Sequence, residues 1–241
     1  GKQLKDIAGK YSIFLLKNGC ASNLRSFFDE TYGLFNDEEC VILTCGPSLN
    51  DYDTQTLKEK LEGKLVFCVK QALSGLEDTC DVHFYNCSNL PKQKYSQSSQ
   101  YLTVASSNYP VGFRLKNTDN MDIFIKVPLI EEIGGRHKTL SHMQNFDDYL
   151  FSNTLERNVG PGIMLESVIY FAVNLGVKSI TTLGWDLNAH GSHFYTSEVN
   201  SKGCEIPWDI HQNLMATEGI FNWLNTKGIS LKTYSKNNNL H

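Results

Sequence analysis

The chain has 241 residues, 41% hydrophobic and 20% charged, the make-up of a globular protein with room for one full core. A formal net charge of -4, with no basic run, excludes a general nucleic-acid binder. No apolar run approaches the roughly 20 residues that span a bilayer, and no signal-peptide pattern opens the chain, whose first residue, Gly1, reads as a trimmed start or a tag remnant.

The first 38 residues read as a helical N-terminal arm packed on the main domain, with apolar positions at Ile7, Tyr11, Phe14, Leu15, Leu24, Phe27 and Phe28. From residue 40 a β/α rhythm predicts strands at 40–45, 64–69, 81–85, 101–106, 123–127, 178–183 and 229–234. Helices are predicted at 53–62, 71–77, 143–152, 162–175 and 211–226. Short, apolar strands alternating with helices predict an α/β fold, a Rossmann-like, doubly wound, mostly parallel sheet covered on both faces. The helix at 162–175 is apolar nearly all round, with Glu166, Ser167 and Asn174 as its polar exceptions, so it is expected to be buried and to stop at Gly176. The polar stretch 86–122 begins as a long loop near the ligand edge, and the irregular segment at about 186–210 reads as a lid.

Val41 to Leu49 is the most informative run: an apolar strand ends in Gly46-Pro47-Ser48, and a capped helical stretch follows. A strand, tight turn and helix aim backbone N–H groups at an anion, and Gly46 lets a phosphate come close. In a doubly wound sheet ligands bind at the carboxyl ends of the strands. Those ends gather Cys45, Gly46, Pro47, Ser48, Lys70, Gln71, Asn86, Cys87, Ser88, Gly184, Trp185 and Asp186, with Gly160, Pro161 and Gly162 before the buried helix. His211, at the start of the last long helix, is placed to serve as a neutral general base. Asp186, His190 and His193 lack metal-site spacing, and Asp51-Tyr52-Asp53 reads as a helix cap in preference to a metal–nucleotide motif, so no metal site is expected. Seven cysteines, at 20, 40, 45, 68, 80, 87 and 204, form no C-x-x-C pair and read as reduced thiols of a cytoplasmic protein.

Four blocks, in order, resemble the bacterial sialyltransferases of glycosyltransferase family 42 and, more loosely, other transferases that use CMP-activated Kdo or nonulosonates. They are Val41–Leu49 with Gly-Pro-Ser-Leu, Cys80–Asn86 with Phe-Tyr-Asn, Val159–Asp186 with a buried helix leading to Gly-x-Asp, and His211 with its helix and the strand 229–234. The resemblance implies a GT-A-like single nucleotide-binding catalytic domain over 39–241. It implies transfer of a sialic acid, Kdo or related sugar acid from its CMP donor to a hydroxyl of a cell-surface glycan or glycolipid, without metal or other cofactor. On it, Gly46, Pro47 and Ser48 approach the donor, Asn86 bonds the nucleotide, Gly160–Gly162 lie against the sugar and His211 is the base. The family's Asn before Gly-Pro-Ser is Cys45 here, and a second family Asn is Lys70, whose cation suits a donor carboxylate or phosphate. Of the family's two lid tyrosines, one position is Asn188 and the other is matched by Phe194 or Tyr195. Such a lipopolysaccharide enzyme is expected in the cytoplasm or at the inner face of the membrane, with peripheral association and homo-oligomer formation both compatible with the pattern. Two rival readings share the motifs: a pterin pyrophosphokinase-like enzyme in which Asp186 helps to hold Mg-ATP, and a non-catalytic nucleotide-binding module.

Overall fold

A computed structural model describes residues 1–11, 21–86, 98–107, 121–126, 163–186 and 220–234. Seven strands form one sheet: β1 (Glu39–Leu43), β2 (Leu65–Val69), β3 (Val82–Asn86), β4 (Leu102–Ser107), β5 (Ile123–Lys126), β6 (Ser179–Leu183) and β7 (Ser230–Tyr234). Their order is β5-β4-β3-β2-β1-β6-β7, and every pairing is parallel. The fold is therefore a Rossmann-like α/β sheet, as the β/α rhythm predicts, and all seven strands fall within two residues of their predicted bounds.

Strand alternation divides the apolar residues between two faces. Ile42, Phe67, Phe84, Val104 and Ile123 point to the first face, which is covered by α1 (Lys2–Gly9), α2 (Ala21–Thr31), a helix α4 over 163–174 and a helix α5 over 220–226. Phe171 of α4 sits at its centre, with ring centroids 5.4 Å from Phe84, 5.7 Å from Phe28 and 6.0 Å from both Phe27 and Phe67. Leu4, Ala8, Phe27 and Phe28 belong to this same core, so the N-terminal helices pack on this face of the sheet. Two of the polar residues of α4 have partners that account for them. Asn174 Nδ2 donates to Phe28 O (3.1 Å) and to Thr31 Oγ1 (3.2 Å), tying α4 to α2, while Ser167 Oγ donates back to Ile163 O. α4 opens with a π-helical turn, Met164–Val168, and Gly176, at φ +83, ends it as predicted.

On the second face the described residues include one α-helix. Val41, Leu43, Val66 and Cys68 meet Leu57 and Leu61 of α3 (Thr54–Leu61), with Leu73, Leu76 and Tyr101 around them. α3 starts where Asp53 accepts bonds from Thr56 N (2.9 Å) and Thr56 Oγ1 (2.6 Å), so the acid of Asp-x-Asp is a cap. The predicted helix 71–77 is replaced by a single 3-10 turn, Lys70–Leu73. Its first residue has left-handed backbone and Gly75 has φ +79, and neither continues a helix. The predicted helix 143–152 and most of 211–226 lie outside the described residues. Cys40, Cys45, Cys68 and Cys80 are buried and free.

Candidate functional site at the carboxyl edge of the sheet

The strand order reverses at β1, whose neighbours are β2 on one side and β6 on the other. In open α/β sheets the crevice outside such a reversal is where ligands bind. Here the two strand ends stay joined past the sheet, since Thr44 N donates to Leu183 O (2.9 Å) and Gly46 N donates to Gly184 O (2.7 Å). A 3-10 turn, Pro47–Asp51, follows Gly46.

Gly46 has φ -71 and ψ 159, angles that any residue adopts. It is glycine for space. A methyl group there would run into Gly184 O and stand 2.5 Å from Asp186 Oδ2. Gly184, at φ +81, is equally constrained, because a Cβ would strike Thr44 O. The close approach expected of Gly46 toward a phosphate is thus made here toward the end of β6.

Asp186 closes the arrangement. Its Oδ2 accepts from Ser48 N (2.7 Å) and its Oδ1 from Ser48 Oγ (2.6 Å). Pro47 has no N–H, and Leu49 N is bonded to Gly46 O (3.1 Å), so the donors of the Gly-Pro-Ser turn are spent within the chain. A carboxylate sits where the sequence suggests a phosphate. Each of its oxygens keeps a further lone pair for a hydroxyl or a cation. Beneath it the Thr44 hydroxyl is buried and has no hydrogen-bond partner among the described residues.

The end of β2 has the third notable geometry. Lys70 is half-buried and left-handed, at φ 52, a conformation that costs a non-glycine residue about 1 kcal/mol. Its side chain makes no hydrogen bond or ion pair among the described residues. Its carbonyl accepts a bond of 2.9 Å from His83 Nε2 of β3, a fully buried imidazole. A carbonyl only accepts, so Nε2 carries the proton. Burial pushes the His83 pKa down to about 4 against the opposing effect of that bond, and the ring is neutral at pH 7. From the other side, Cys45 Sγ lies 3.2 Å from Val69 O and 3.4 Å from Gln71 Oε1. Burial raises the Cys45 thiol pKa, and the nearby Lys70 charge partly offsets this.

The structure thus brings together Cys45, Gly46, Pro47, Ser48, Gly184 and Asp186, with Lys70 and the β3 end at Asn86 along the same edge. Ser88, Gly160, Pro161, Gly162, Asn188, Tyr195 and His211 lie outside the described residues, as does the segment beyond Asp186 that the sequence reads as a lid. His83 and Thr44 were not singled out from sequence. A lone polar residue in an apolar strand signals burial, but the partner of His83 lies in the turn after β2, 13 residues away in sequence. Among the described residues no group of three or more His, Cys, Asp or Glu side chains could hold a metal, and no helix is long and apolar enough to cross a membrane. No protein-family model matches the chain, and no curated protein matches it.

Proposed function

We propose that the chain is a glycosyltransferase that moves a 2-keto sugar acid (sialic acid, Kdo or a related nonulosonate) from its CMP donor to a hydroxyl of a glycan or glycolipid acceptor. The observation that carries this reading is the meeting of Gly46-Pro47-Ser48 with Gly184-Trp185-Asp186 at the point where the strand order reverses. These are two of the four blocks on which the sequence resembles family 42. In this reading Asp186 holds the turn in shape, Lys70 faces the nucleotide phosphate, and His211 takes the proton of the attacking hydroxyl. The phosphate leaves already ionised, so the protein's task is to stabilise its charge.

Asp186 also favours a second reading, a Mg-nucleotide enzyme, because a carboxylate at a phosphate turn is neutralised by a bound cation. Thermal melting with CMP, CDP, UDP and ATP, each in EDTA and in Mg2+, separates the two. A ligand at one hundred times its Kd adds about 2.7 kcal/mol. The transferase is expected to be stabilised by CMP in EDTA. Stabilisation by ATP alone, and only with Mg2+, would replace it with the second reading. His211→Ala should keep the CMP response and lose most turnover; unchanged turnover would remove the base role.

A further inference from the structure

The kink at Lys70 is held from both neighbouring strands. On the β3 side, His83 donates its Nε2 proton to the Lys70 carbonyl at 2.9 Å. On the β1 side, the Cys45 thiol reaches the carbonyl before Lys70 and the side chain after it. A lysine has no intrinsic liking for the left-handed region, and a histidine with no exposed surface is a poor choice for simple core filling. The second face offers apolar solutions at equivalent positions, such as Val66 and Leu43. Both oddities are explained together if the ring exists to fix one peptide plane.

We propose that His83 is a positioning residue that locks Lys70 in its left-handed conformation, so that the ammonium stands at the carboxyl edge beside the strand-order reversal and binds the anionic group of the ligand. This rests on the nucleotide reading for the ligand's class, a phosphomonoester, but not for the device itself. It also links two departures from the family pattern, Cys45 and Lys70, which meet at one kink. A change in one alters the seat of the other.

Two measurements test it on the intact chain. In the ligand-free protein, NMR scalar couplings at residue 70 report the sign of φ. It should be positive in wild type and in His83→Gln, which keeps an N–H donor, and negative in His83→Met, which has similar volume and no donor. Calorimetry then compares CMP with cytidine. The preference for CMP should fall about ten-fold or more in Lys70→Gln and in His83→Met, with cytidine affinity unchanged and His83→Gln close to wild type. A folded His83→Met that keeps positive φ and the full CMP preference overturns the proposal. If wild type ignores CMP, the nucleotide reading fails. Inorganic pyrophosphate, titrated into the same variants, and the couplings still judge the device. Should His83→Met not fold, the ring nitrogens of wild type decide, since a proton on Nδ1 in place of Nε2 overturns the assignment.

Discussion

At the amino edge of the sheet, acids accept from residues of the neighbouring strands themselves; at the carboxyl edge, Asp186 accepts from the turn that follows β1. Asp81 Oδ2 accepts from Val66 N (2.9 Å), and Asp122 Oδ2 accepts from Thr103 N (2.8 Å) while pairing with Lys5. Glu39 pairs with Lys64 and accepts from Thr181 Oγ1. Each of these bonds fixes the register of neighbouring strands. The carboxyl edge instead holds two mutually constrained glycines, a left-handed lysine, a buried imidazole and the Ser48–Asp186 clasp. Its groups are costly in isolation and are kept because their neighbours over-determine them, as the proposed site requires.

The largest expected effect comes from disturbing the glycine pair. Gly46→Ala drives a methyl into Gly184 O, and both partners are backbone held by the Gly46–Gly184 bond, so neither yields cheaply. A loss of about 3 kcal/mol in denaturant unfolding is expected. Gly63→Ala serves as the control of ordinary strain, since Gly63 has φ +73 but a Cβ there meets nothing within 4 Å. A smaller loss at Gly46 than at Gly63 would show that the two strand ends are not closely joined.

Next comes pH, which should act on the two edges in different windows. The unfolded chain takes up a proton on His83 near pH 6.5, whereas the folded chain refuses it down to about pH 4. Stability from this group is whole above pH 6.5 and falls as the pH drops through that window, by up to about 3 kcal/mol at about 1.4 kcal/mol per unit. Glu39 is held below its usual 4.5, chiefly by its hydrogen bond with Lys64, so its contribution is whole above pH 4.5 and is lost as the pH falls below that value. The chain has seven histidines, so the informative quantity is the wild-type slope minus that of His83→Gln between pH 7 and 5. Equal slopes would mean that the imidazole is not shielded.

How much of this was legible in the residues follows from how far each signal reaches along the chain. The strands were legible because a parallel sheet buries both faces, which makes Val41–Leu43 and Leu65–Val69 continuous apolar runs. Asp53 was legible as a cap because its bond reaches only three residues on. The predicted helix 71–77 fails although Gln-Ala-Leu does not itself disfavour one; the kink at Lys70 just before it is imposed by β1 and β3. Ser48 and Asp186 both read as candidate site residues, yet their bond is invisible in the sequence. Each was assigned to a ligand, and sequence periodicity carries no information about a contact between two strand ends so far apart.

The smallest effect makes the sharpest test of the comparison. Asp122→Asn and Asp186→Asn each remove one charge from a carboxylate that accepts a backbone N–H, and each should cost about 1–2 kcal/mol of stability. On stability alone the two edges then look alike. Ligand response should separate them. Asp122 sits across the sheet from the strand ends, so its variant keeps the wild-type melting shift with CMP. Asp186→Asn takes a negative charge away from the turn and loosens the Ser48 N–H and hydroxyl from their present acceptor. Both changes favour a phosphate, so the CMP shift should grow. If the two variants respond identically, Asp186 is a register device like its counterparts at the amino edge, and the phosphate must be sought away from the Gly-Pro-Ser turn.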